Sequence, residues 1–325
     1  MKAFVVHNGN YQMKEVEEPE IKADEVKVQL KTAGLNHRDL MIKHRVGSNE
    51  EAYILGSDGA GVIVEAGANV SRFDIGDEVI INPGLNWYDK SEAPPADFEI
   101  VGVPFHGTFA ERIVISEDFI ERKPKHLSWE EAGVFALSGL TGYRALITQG
   151  QLKKTDTLFI PGAGGGVNSF IILLAKAVGA KVITTSRERE KLKDAEKLGY
   201  DKGILTNDNW QEKLANETID LVIESIGGKT FNRSLEVLRK GGRIVTYGSS
   251  TNDQLTFDLR KFFYGQYKLI GSTMGSREEL HELLAFTEDQ SIKPIIDRQF
   301  AFSDIDKAFD LLGAQNQLGK IVINM

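Results

Sequence analysis

A glycine-rich run between an apolar strand and an amphipathic helix carries the clearest chemical signal in the sequence. The run is Leu158-Phe159-Ile160-Pro161-Gly162-Ala163-Gly164-Gly165-Gly166-Val167-Asn168-Ser169. Glycines permit a tight turn and let backbone N–H groups approach a pyrophosphate, which then lies at the positive end of the helix. A glycine-rich turn alone is also typical of an ordinary loop, but the strands and helices that alternate after it favour a dinucleotide site. The residues predicted to line this site are Gly162, Gly165, Gly166, Val167 and Asn168.

The end of the next strand predicts which dinucleotide is bound. Sites for NAD usually place an acidic residue there, about 20 residues after the glycines, to bind the ribose hydroxyls. This chain has Ser186 and Arg187 instead, and a hydroxyl beside a guanidinium suits a 2′-phosphate. Lys191 adds positive charge, although it could equally form a solvated pair with a neighbouring glutamate. We therefore predict NADPH as the preferred cofactor.

The composition excludes several classes of function. The chain of 325 residues has a net charge of −8, which disfavours nucleic-acid or anionic-membrane partners because both need clustered positive charge. It has no cysteine, so disulfides, thiolate nucleophiles, iron–sulfur clusters and cysteine-bearing zinc sites are excluded. The N-terminal sequence turns polar after four apolar residues, so we expect no signal peptide. No apolar run reaches the roughly 18 residues of a membrane span. We expect a cytoplasmic protein that acts on a small-molecule substrate.

Short strands fill the first third of the chain. Residues 26–30 alternate apolar with polar, residues 59–67 form an apolar run bounded by glycines, and residues 74–81 form a turn followed by a strand. This spacing is typical of a compact barrel or sandwich. Residues 82–107 are rich in proline and poor in periodicity, which predicts a long loop that borders a site.

A change of pattern begins at a capping box formed by Ser128 and Glu131, which predicts the start of a helix. From there strands and helices alternate, which implies a parallel sheet covered on both faces. The predicted strands are 157–160, 181–185, 220–223, 243–247, 267–274 and 320–323, and the predicted helices are 167–178, 188–198, 230–238, 278–287 and 303–312.

A set of motifs along nearly the whole chain points to one family. The motifs lie at residues 34–40, 55–61, 73–79, 140–143, 162–169 and 318–322. In order and spacing they resemble the medium-chain dehydrogenase/reductase superfamily, in its zinc-free, quinone-oxidoreductase-like branch. The resemblance implies an α/β fold with a doubly wound Rossmann sheet and a GroES-like β-rich barrel. It divides the chain into a GroES-like substrate domain at 1–122, a Rossmann nucleotide-binding domain at 123–275, and a C-terminal segment at 276–325 that returns to the substrate domain.

The ligand positions of the zinc-dependent relatives hold unsuitable residues in this chain. Those relatives carry a cysteine where this chain has Asn36, a histidine where it has Ser57, and a third ligand near Leu137. An amide, a hydroxyl and an apolar side chain cannot assemble a tight zinc site. The loop at 82–107 also stands where such relatives carry a lobe for structural zinc. The resemblance therefore implies a shared fold and cofactor but no metal ion.

The resemblance adds residues to the expected cofactor site. Residues 140–143 resemble the helical segment under the nicotinamide ring. Asn168 departs from the family's last loop glycine, so its side chain either shifts the helix slightly or offers its amide to a phosphate. The further cofactor-binding residues that the resemblance implies are Thr141, Gly227, Gly248 and Ser249.

Asn36 is the predicted catalytic residue. In relatives this position holds a metal ligand or a polar group facing the nicotinamide, so the amide would orient the carboxamide or bind a substrate oxygen. The alternative is a turn residue that satisfies its own backbone. His37, His44 and His106 are candidate proton donors, although each is more typical of surface or packing. Asp58, which lies behind the metal in zinc-dependent relatives, is expected to pair with a basic neighbour.

Together these features predict an NADPH-dependent oxidoreductase that transfers a hydride to a quinone or an α,β-unsaturated carbonyl. Two alternatives stay open, an alcohol–aldehyde oxidoreductase and an NADPH-binding protein with little catalysis. In similar proteins the strand at 267–274 lies at an open sheet edge and pairs with its twin, which predicts a homodimer. The alternative is that a loop of the same chain covers this edge.

Overall fold

The chain folds into two units, each built around its own sheet. The computed structural model describes residues 1–46 and 51–325. Its first unit is Met1–Ser138 together with Gly275–Met325, and its second unit is Gly139–Met274. The first unit continues past residue 122, where the sequence-based division ends it. The reason is that the short helix after Ser128 packs on the strand Glu25–Gly34.

Strands dominate the first unit, and strands alternate with helices in the second. The strands are β1 (Lys2–His7), β2 (Asn10–Glu15), β3 (Glu25–Gly34), β4 (Tyr53–Ile54), β5 (Asp58–Ala66), β6 (Glu78–Ile81), β7 (Gly84–Leu85), β8 (Glu99–Ile100), β9 (Arg112–Ser116), β10 (Ile120–Arg122), β11 (Thr157–Ile160), β12 (Lys181–Ser186), β13 (Lys202–Leu205), β14 (Ile219–Glu224), β15 (Leu238–Thr246), β16 (Lys268–Gly271), β17 (Ile296–Ala301) and β18 (Lys320–Asn324). The α-helices are α1 (His37–Val46), α2 (Trp129–Ala132), α3 (Ala136–Tyr143), α4 (Gly166–Val178), α5 (Arg189–Ala195), α6 (Trp210–Lys213), α7 (Phe231–Val237), α8 (Leu259–Gly265), α9 (Arg277–Asp289) and α10 (Ile305–Ala314).

The main sheet of the first unit has the strand order β10-β6-β5-β3-β18-β17, and β9 also pairs with β3. Strand β3 alternates as predicted, because Val26, Val28 and Leu30 are buried in an apolar core with Ile63. Strand β18 comes from the end of the chain and pairs antiparallel with β3, with Val322 opposite Gly34. The C-terminal segment is therefore part of this sheet.

The second unit contains a six-stranded parallel sheet with the order β13-β12-β11-β14-β15-β16. The chain builds outward from β11 in one direction and then returns to build outward from β14 in the other, which is the doubly wound Rossmann order. Phe159, Ile183, Val222 and Ile244 from the four central strands share one apolar core. The predicted fold class is confirmed.

Local signals located most elements within a residue or two. The capping box at Ser128 and Glu131 is present with both of its hydrogen bonds. Strand β16 is shorter than the predicted strand at 267–274, and the predicted loop at 82–107 contains the paired strands β7 and β8. Strand β13 was missed because its four residues, Lys-Gly-Ile-Leu, show neither alternation nor an apolar run. Within residues 1–46 and 51–325, no helix has both the length and the apolar character needed to cross a membrane.

Candidate functional site

The residues at one end of the first unit's sheet are brought together by strand pairing. Strand β3 lies between β5 and β18, and Gly34 at its end is opposite both Asp58 and Val322. Asn36 follows the end of β3, Asp58 begins β5, and Lys320 begins β18. These three polar residues therefore meet although they are far apart in the sequence.

A buried ammonium group is the centre of this cluster. Lys320 is 3% exposed, and its Nζ lies 2.9 Å from the carbonyl oxygen of Leu35 and 2.5 Å from Oδ1 of Asn36. It also lies 3.1 Å from Oδ2 of Asp58 and 3.1 Å from Oγ of Ser138. A charge this deep in a protein is tolerated when it is paired and hydrogen-bonded. The sequence-based expectation that Asp58 pairs with a basic neighbour is confirmed.

Asn36 uses the full hydrogen-bonding capacity of its amide within the protein. Its Nδ2 donates to the carbonyl oxygen of Gly34 at 3.3 Å and to Oδ2 of Asp58 at 3.0 Å. Its Oδ1 accepts from Lys320 and, at 3.4 Å, from the hydroxyl of Ser138. An amide has two donor hydrogens and two acceptor lone pairs. A direct contact with substrate would therefore require one of these bonds to break.

The other oxygen of Asp58 ties the cluster to the start of α3. The backbone N–H of Leu137 donates to Oδ1 of Asp58 at 2.6 Å. Both oxygens of this fully buried carboxylate therefore accept hydrogen bonds, one from Leu137 and the other from Lys320 and Asn36. Such full satisfaction is the condition under which a buried ion pair holds one geometry.

A second polar group lies beside the cluster, on helix α1. Arg38 donates from Nη1 to Oγ of Ser57 and, at 2.9 Å, to the carbonyl oxygen of Val101. The Ser57 hydroxyl in turn donates to the same carbonyl at 2.6 Å. Ser57 is thus held by Arg38 and Val101 instead of facing Lys320.

Asp39 is a buried carboxyl group whose environment disfavours its charge. Its Oδ2 accepts from the backbone N–H of Asn36 at 2.8 Å, and its Oδ1 is a buried oxygen without a hydrogen-bond partner among the described residues. Burial raises the pKa of Asp39 to about 6, although the nearby charge of Arg38 opposes this effect. The carboxyl of the folded protein therefore titrates near pH 6.

The histidines that were candidate proton donors do not join the cluster. His37 and His44 are exposed on α1. The residue His106 is also exposed, although partial desolvation lowers its pKa, and its Nδ1 accepts weakly, at 3.4 Å, from the backbone N–H of Ile54. None of the three has a recorded hydrogen bond to Asn36, Asp58 or Lys320 among the described contacts of the unit.

In the second unit, the glycine-rich loop has the form that the sequence predicts. Gly162 follows β11 with φ +87°, a conformation that favours glycine, and its N–H donates to Oγ1 of Thr185 at 3.1 Å. Gly165 caps α4, and Gly166 and Val167 form its first residues without any side-chain cap on their N–H groups. The loop therefore offers backbone donors at a helix N-terminus.

Asn168 braces this loop from inside the helix. Its Nδ2 donates to the carbonyl oxygens of Pro161 at 3.1 Å and Gly162 at 2.6 Å. Its Oδ1 accepts from the hydroxyl of Tyr247 at 2.6 Å. The sequence left open whether Asn168 shifts the helix or offers its amide to a phosphate. Both amide hydrogens bond to the loop backbone, so none is left for a phosphate.

The predicted 2′-phosphate residues follow β12. Ser186 is its last residue and is 9% exposed, whereas Arg187 is exposed. The Nζ of Lys191 lies 3.6 Å from Oε1 of Glu188. That distance favours the alternative in which Lys191 forms a solvated pair with Glu188. Ser186 and Arg187 stay the residues that are predicted to distinguish the cofactors.

The remaining predicted cofactor residues lie at the carboxyl ends of β14 and β15 and in α3. Gly227 has φ +84°, and a side chain there would collide with Ser249. The Ser249 hydroxyl donates to the carbonyl oxygen of Asn252 at 2.6 Å. Gly248 is exposed after β15, and Thr141 is 7% exposed in α3. Gly227 and Gly248 thus lie at the same edge of the sheet as the glycine-rich loop.

Sequence reasoning missed Glu224, which organises the turn after β14. This carboxylate is 0% exposed and accepts from the backbone N–H of Ile226 at 2.8 Å, from the hydroxyl of Thr230 at 2.9 Å and from the hydroxyl of Ser234 at 2.9 Å. Its position as an acid at the end of an apolar strand was a signal that could have found it. Lys320, a cation at the start of the closing strand, carried a similar signal.

Comparisons with known proteins match both units. Residues 22–125 match the family described as alcohol dehydrogenase GroES-like domain, and residues 166–289 match the family described as zinc-binding dehydrogenase. A zinc-type alcohol dehydrogenase-like protein of Leptosphaeria maculans is 31% identical, with 97% of this chain and 94% of that protein covered. An acryloyl-coenzyme A reductase of Sulfurisphaera tokodaii is 29% identical, with 99% of each covered. A solved NAD-dependent alcohol dehydrogenase is 31% identical, with 100% of each chain covered and a TM-score of 0.92.

The chain therefore belongs to the medium-chain dehydrogenase/reductase superfamily. It is an NAD(P)H-dependent oxidoreductase.

The zinc named in these family descriptions does not fit the residues of this chain. At the ligand positions, the amide of Asn36 is fully engaged, Ser57 is bonded to Arg38, and Leu137 has no donor atom in its side chain. The ammonium of Lys320 donates to Asn36 and Asp58, and a cation in that place repels a metal ion. In the described part of the chain, no three histidine, cysteine, aspartate or glutamate residues are grouped as metal ligands.

Proposed function

We propose that this protein is an NADPH-dependent reductase of electron-poor double bonds, acting on an α,β-unsaturated carbonyl or a quinone without zinc. The observation that carries the proposal is the buried Asn36–Asp58–Lys320 cluster, in which the residue at one expected metal-ligand position, Asn36, is bonded to an ammonium group and a carboxylate. A simple aldehyde or ketone needs a strong electrophile at its oxygen, which zinc supplies in other enzymes. A conjugated acceptor is already polarised and accepts a hydride at its β-carbon with less assistance.

The cofactor preference rests on the residues after β12. NADPH supplies the hydride when it is bound. Ser186 and Arg187 present a hydroxyl and a guanidinium at the strand end where an NAD site has a carboxylate. The glycine-rich loop and the N-terminus of α4 would hold the pyrophosphate. The alternative cofactor is NADH, because one similar solved structure is an NAD-dependent alcohol dehydrogenase.

Asn36 stays a predicted catalytic-site residue in this proposal. Its four engaged hydrogen-bonding positions favour a positioning role, in which the amide joins the end of β3 to Asp58 and Lys320. Its contact with a substrate oxygen or with the cofactor's carboxamide remains a prediction. We expect the final proton to come from solvent.

The acryloyl-coenzyme A reductase supports the substrate class, because an acryloyl group is an α,β-unsaturated acyl group. The alternative of alcohol–aldehyde interconversion is supported by the relatives named as alcohol dehydrogenases. The third possibility, a cofactor-binding protein with little catalysis, is distinguished by turnover.

The test measures NADPH oxidation with four acceptors: an enone, a quinone, a 2-enoyl thioester and an unconjugated aldehyde. We expect turnover with at least one conjugated acceptor, slower turnover with the aldehyde, and no loss of activity in a chelator. Preferential reduction of the aldehyde would favour the alcohol–aldehyde alternative. Tight NADPH binding without turnover of any acceptor would favour the binding protein, and one tightly held zinc per chain would contradict the metal-free site.

We also propose that the protein is a homodimer joined through the edge of the Rossmann sheet. Strand β16 is the last strand of that sheet and pairs only with β15 in the described chain. Leu269 on β16 and Leu259, Phe263 and Tyr264 on the adjoining helix α8 are large apolar residues exposed to solvent. A second copy paired along this edge would cover both the unpaired backbone and these side chains.

A further inference from the structure

The guanidinium of Arg38 is held in place by hydrogen bonds from one of its nitrogen atoms, while the other two nitrogen atoms can donate to a ligand. Arg38 is the second residue of α1, two positions after Asn36. Its Nη1 is held by Oγ of Ser57 and by the carbonyl oxygen of Val101. The Ser57 hydroxyl also bonds to that carbonyl, so the two acceptors brace each other. The guanidinium therefore keeps one orientation without a ligand.

The rest of the guanidinium is uncommitted. A guanidinium has five N–H donors, and both hydrogens of Nη1 are engaged. Within residues 1–46 and 51–325, Nε and Nη2 have no recorded hydrogen bond or ion pair, and the side chain is partly exposed. Arginine remains protonated at all ordinary pH values. Three donors on a fixed positive charge are thus available to an external group.

The acidic neighbours of Arg38 are committed elsewhere. Asp58 accepts from Lys320, Asn36 and the N–H of Leu137. Asp39 is buried and accepts from the N–H of Asn36 through Oδ2, and its Oδ1 has no hydrogen bond to Arg38. Because neither carboxylate forms an ion pair with Arg38, the charge of the guanidinium is not cancelled by direct contact.

We propose that Arg38 is a catalytic residue that binds the carbonyl oxygen of the substrate as negative charge develops there. The inference rests on the proposed function. When bound, NADPH would supply the hydride that bonds to the β-carbon and would itself be oxidised to NADP⁺. The π electrons of the substrate double bond would move toward the carbonyl and give an enolate oxygen. Arg38 donates hydrogen bonds from Nε or Nη2 to that oxygen, and a proton from solvent then bonds to the α-carbon. The anchor on Ser57 and Val101 makes this donor preorganised, which is the main requirement for stabilising developing charge.

The assignment gives Ser57 a function as well. The zinc-dependent relatives have a histidine ligand at this position, whereas here a small hydroxyl anchors the guanidinium. The positive charge that faces the substrate would then belong to an arginine of the chain. Lys320 cannot serve in this way, because its ammonium is 3% exposed and surrounded by protein oxygens.

The first experiment compares Arg38→Gln, Arg38→Lys and the control Lys43→Gln, which removes an exposed cation from the same helix. With the best conjugated acceptor, we expect Arg38→Gln to lower kcat by about 100-fold, the usual effect of losing one preorganised donor. The dissociation constant of NADPH should not change. Arg38→Lys should retain part of the activity, and Lys43→Gln should retain all of it.

The second experiment does not depend on turnover. The anion of nitroethane carries negative charge on oxygen as an enolate does, and its binding to the NADP⁺-loaded protein is measured by calorimetry beside that of neutral nitroethane. We expect the parent protein to prefer the anion by about tenfold or more, as for a hydrogen bond to a charged group. Arg38→Gln should lose this preference. If Arg38→Gln does not fold, Ser57→Ala, which removes the anchor but keeps the charge, should reduce both kcat and the preference.

An unchanged kcat in Arg38→Gln, or no preference for the anion in the parent protein, would overturn the assignment. A loss of NADPH affinity equal to the loss of activity would also overturn it and would make Arg38 a contact of the cofactor phosphates. If the parent protein reduces no acceptor, the proposed function fails, and the nitroethane measurement still decides whether Arg38 binds an oxyanion.

Discussion

The Nζ of Lys320 lies 3.1 Å from Oδ2 of Asp58, although 262 positions separate the two residues in the chain. Both side chains are buried. This ion pair joins the last strand of the protein to β5 across the end of β3. The same ammonium also bonds to Asn36, so the geometry of the candidate site depends on the C-terminal strand.

Lys320→Met should destabilise the protein by about 3–5 kcal/mol, because it leaves the carboxylate of Asp58 buried without its cation. The free energy of unfolding in urea measures this effect. The double variant Lys320→Met/Asp58→Asn should be less destabilised than the sum of the two single changes, since it leaves no unpaired charge. The control is Lys307→Met, which breaks an exposed pair with Asp304 and should cost no more than about 1 kcal/mol. Equal effects of Lys320→Met and Lys307→Met would contradict the buried pair.

The buried carboxyl of Asp39 should make stability fall as the pH rises. Its pKa is raised to about 6 from an ordinary value of 3.8, so the folded protein holds this proton over a range where the unfolded chain releases it. Between about pH 4 and pH 7, the free energy of unfolding should therefore lose roughly 2–3 kcal/mol from this group. Asp39→Asn removes that loss, so the stability of the variant relative to the parent should increase across this range.

Asp77 provides a control of opposite sign for this pH profile. Hydrogen bonds from the N–H of Asp74 and from Arg122 lower its pKa, so it contributes stability above its ordinary pKa that is lost as the pH falls. Asp77→Asn should lose stability relative to the parent as the pH rises toward 3.8, the ordinary pKa of the carboxyl. Between about pH 5 and pH 7, where the Asp39→Asn profile rises, the Asp77→Asn profile should be flat. Parallel profiles for the Asp39 and Asp77 variants would refute the assignment to Asp39.

Arg187→Ala should weaken the binding of NADPH and leave that of NADH nearly unchanged. The guanidinium is expected to bond to the 2′-phosphate, and a charge-assisted hydrogen bond contributes about 1.5–3 kcal/mol. Titration of both cofactors into the parent and the variant measures the effect. Arg189→Ala, which changes a neighbouring residue at the start of α5, is the matched control. Equal dissociation constants for NADPH and NADH in the parent protein would contradict the predicted preference.

Tyr247→Phe should loosen the glycine-rich loop and weaken NADPH binding by roughly tenfold. The variant removes the donor that holds Oδ1 of Asn168, and an unsatisfied buried amide oxygen costs about 1–3 kcal/mol. The control is Tyr200→Phe, which removes a comparable hydrogen bond elsewhere in the unit, from the Tyr200 hydroxyl to the carbonyl oxygen of Leu192. It should leave the NADPH dissociation constant unchanged, and an equal effect of the two variants would show that Asn168 does not brace the cofactor loop.

The sheet edge at β16 should be the dimer interface. Light scattering of the parent protein at micromolar concentration should give the mass of two chains, and Leu269→Lys should give that of one, because it places a charge on the exposed apolar edge. Ile270→Lys is less selective, since the side chain is half-buried and the charge also enters the adjoining core. Ile75→Lys alters an exposed residue of the other unit and should remain dimeric. A monomeric parent protein would exclude the dimer, and a folded, dimeric Leu269→Lys would move the interface elsewhere.

The backbone form of the predicted cofactor loop could be predicted from the sequence because its signals are local. The run from β11 through the glycines into α4 specifies a strand, a tight turn and a helix within a few residues. The doubly wound order then places this turn where the sheet changes direction. The role of Asn168 was not predictable, because its partner Tyr247 lies on another strand and the choice between loop carbonyls and a phosphate depends on that neighbour.

For this protein, the sequence by itself determined the family motifs, the Rossmann unit and the absence of suitable zinc ligands at Asn36, Ser57 and Leu137, because residue type and local spacing decide these properties. Only the tertiary structure decided that Lys320 is the partner of Asp58 and that Arg38 is anchored by Ser57 and Val101. These contacts arise from pairing between strands and loops that are distant in the chain. A pattern along the sequence does not contain that pairing, because register and strand order are set by the packing of the whole sheet.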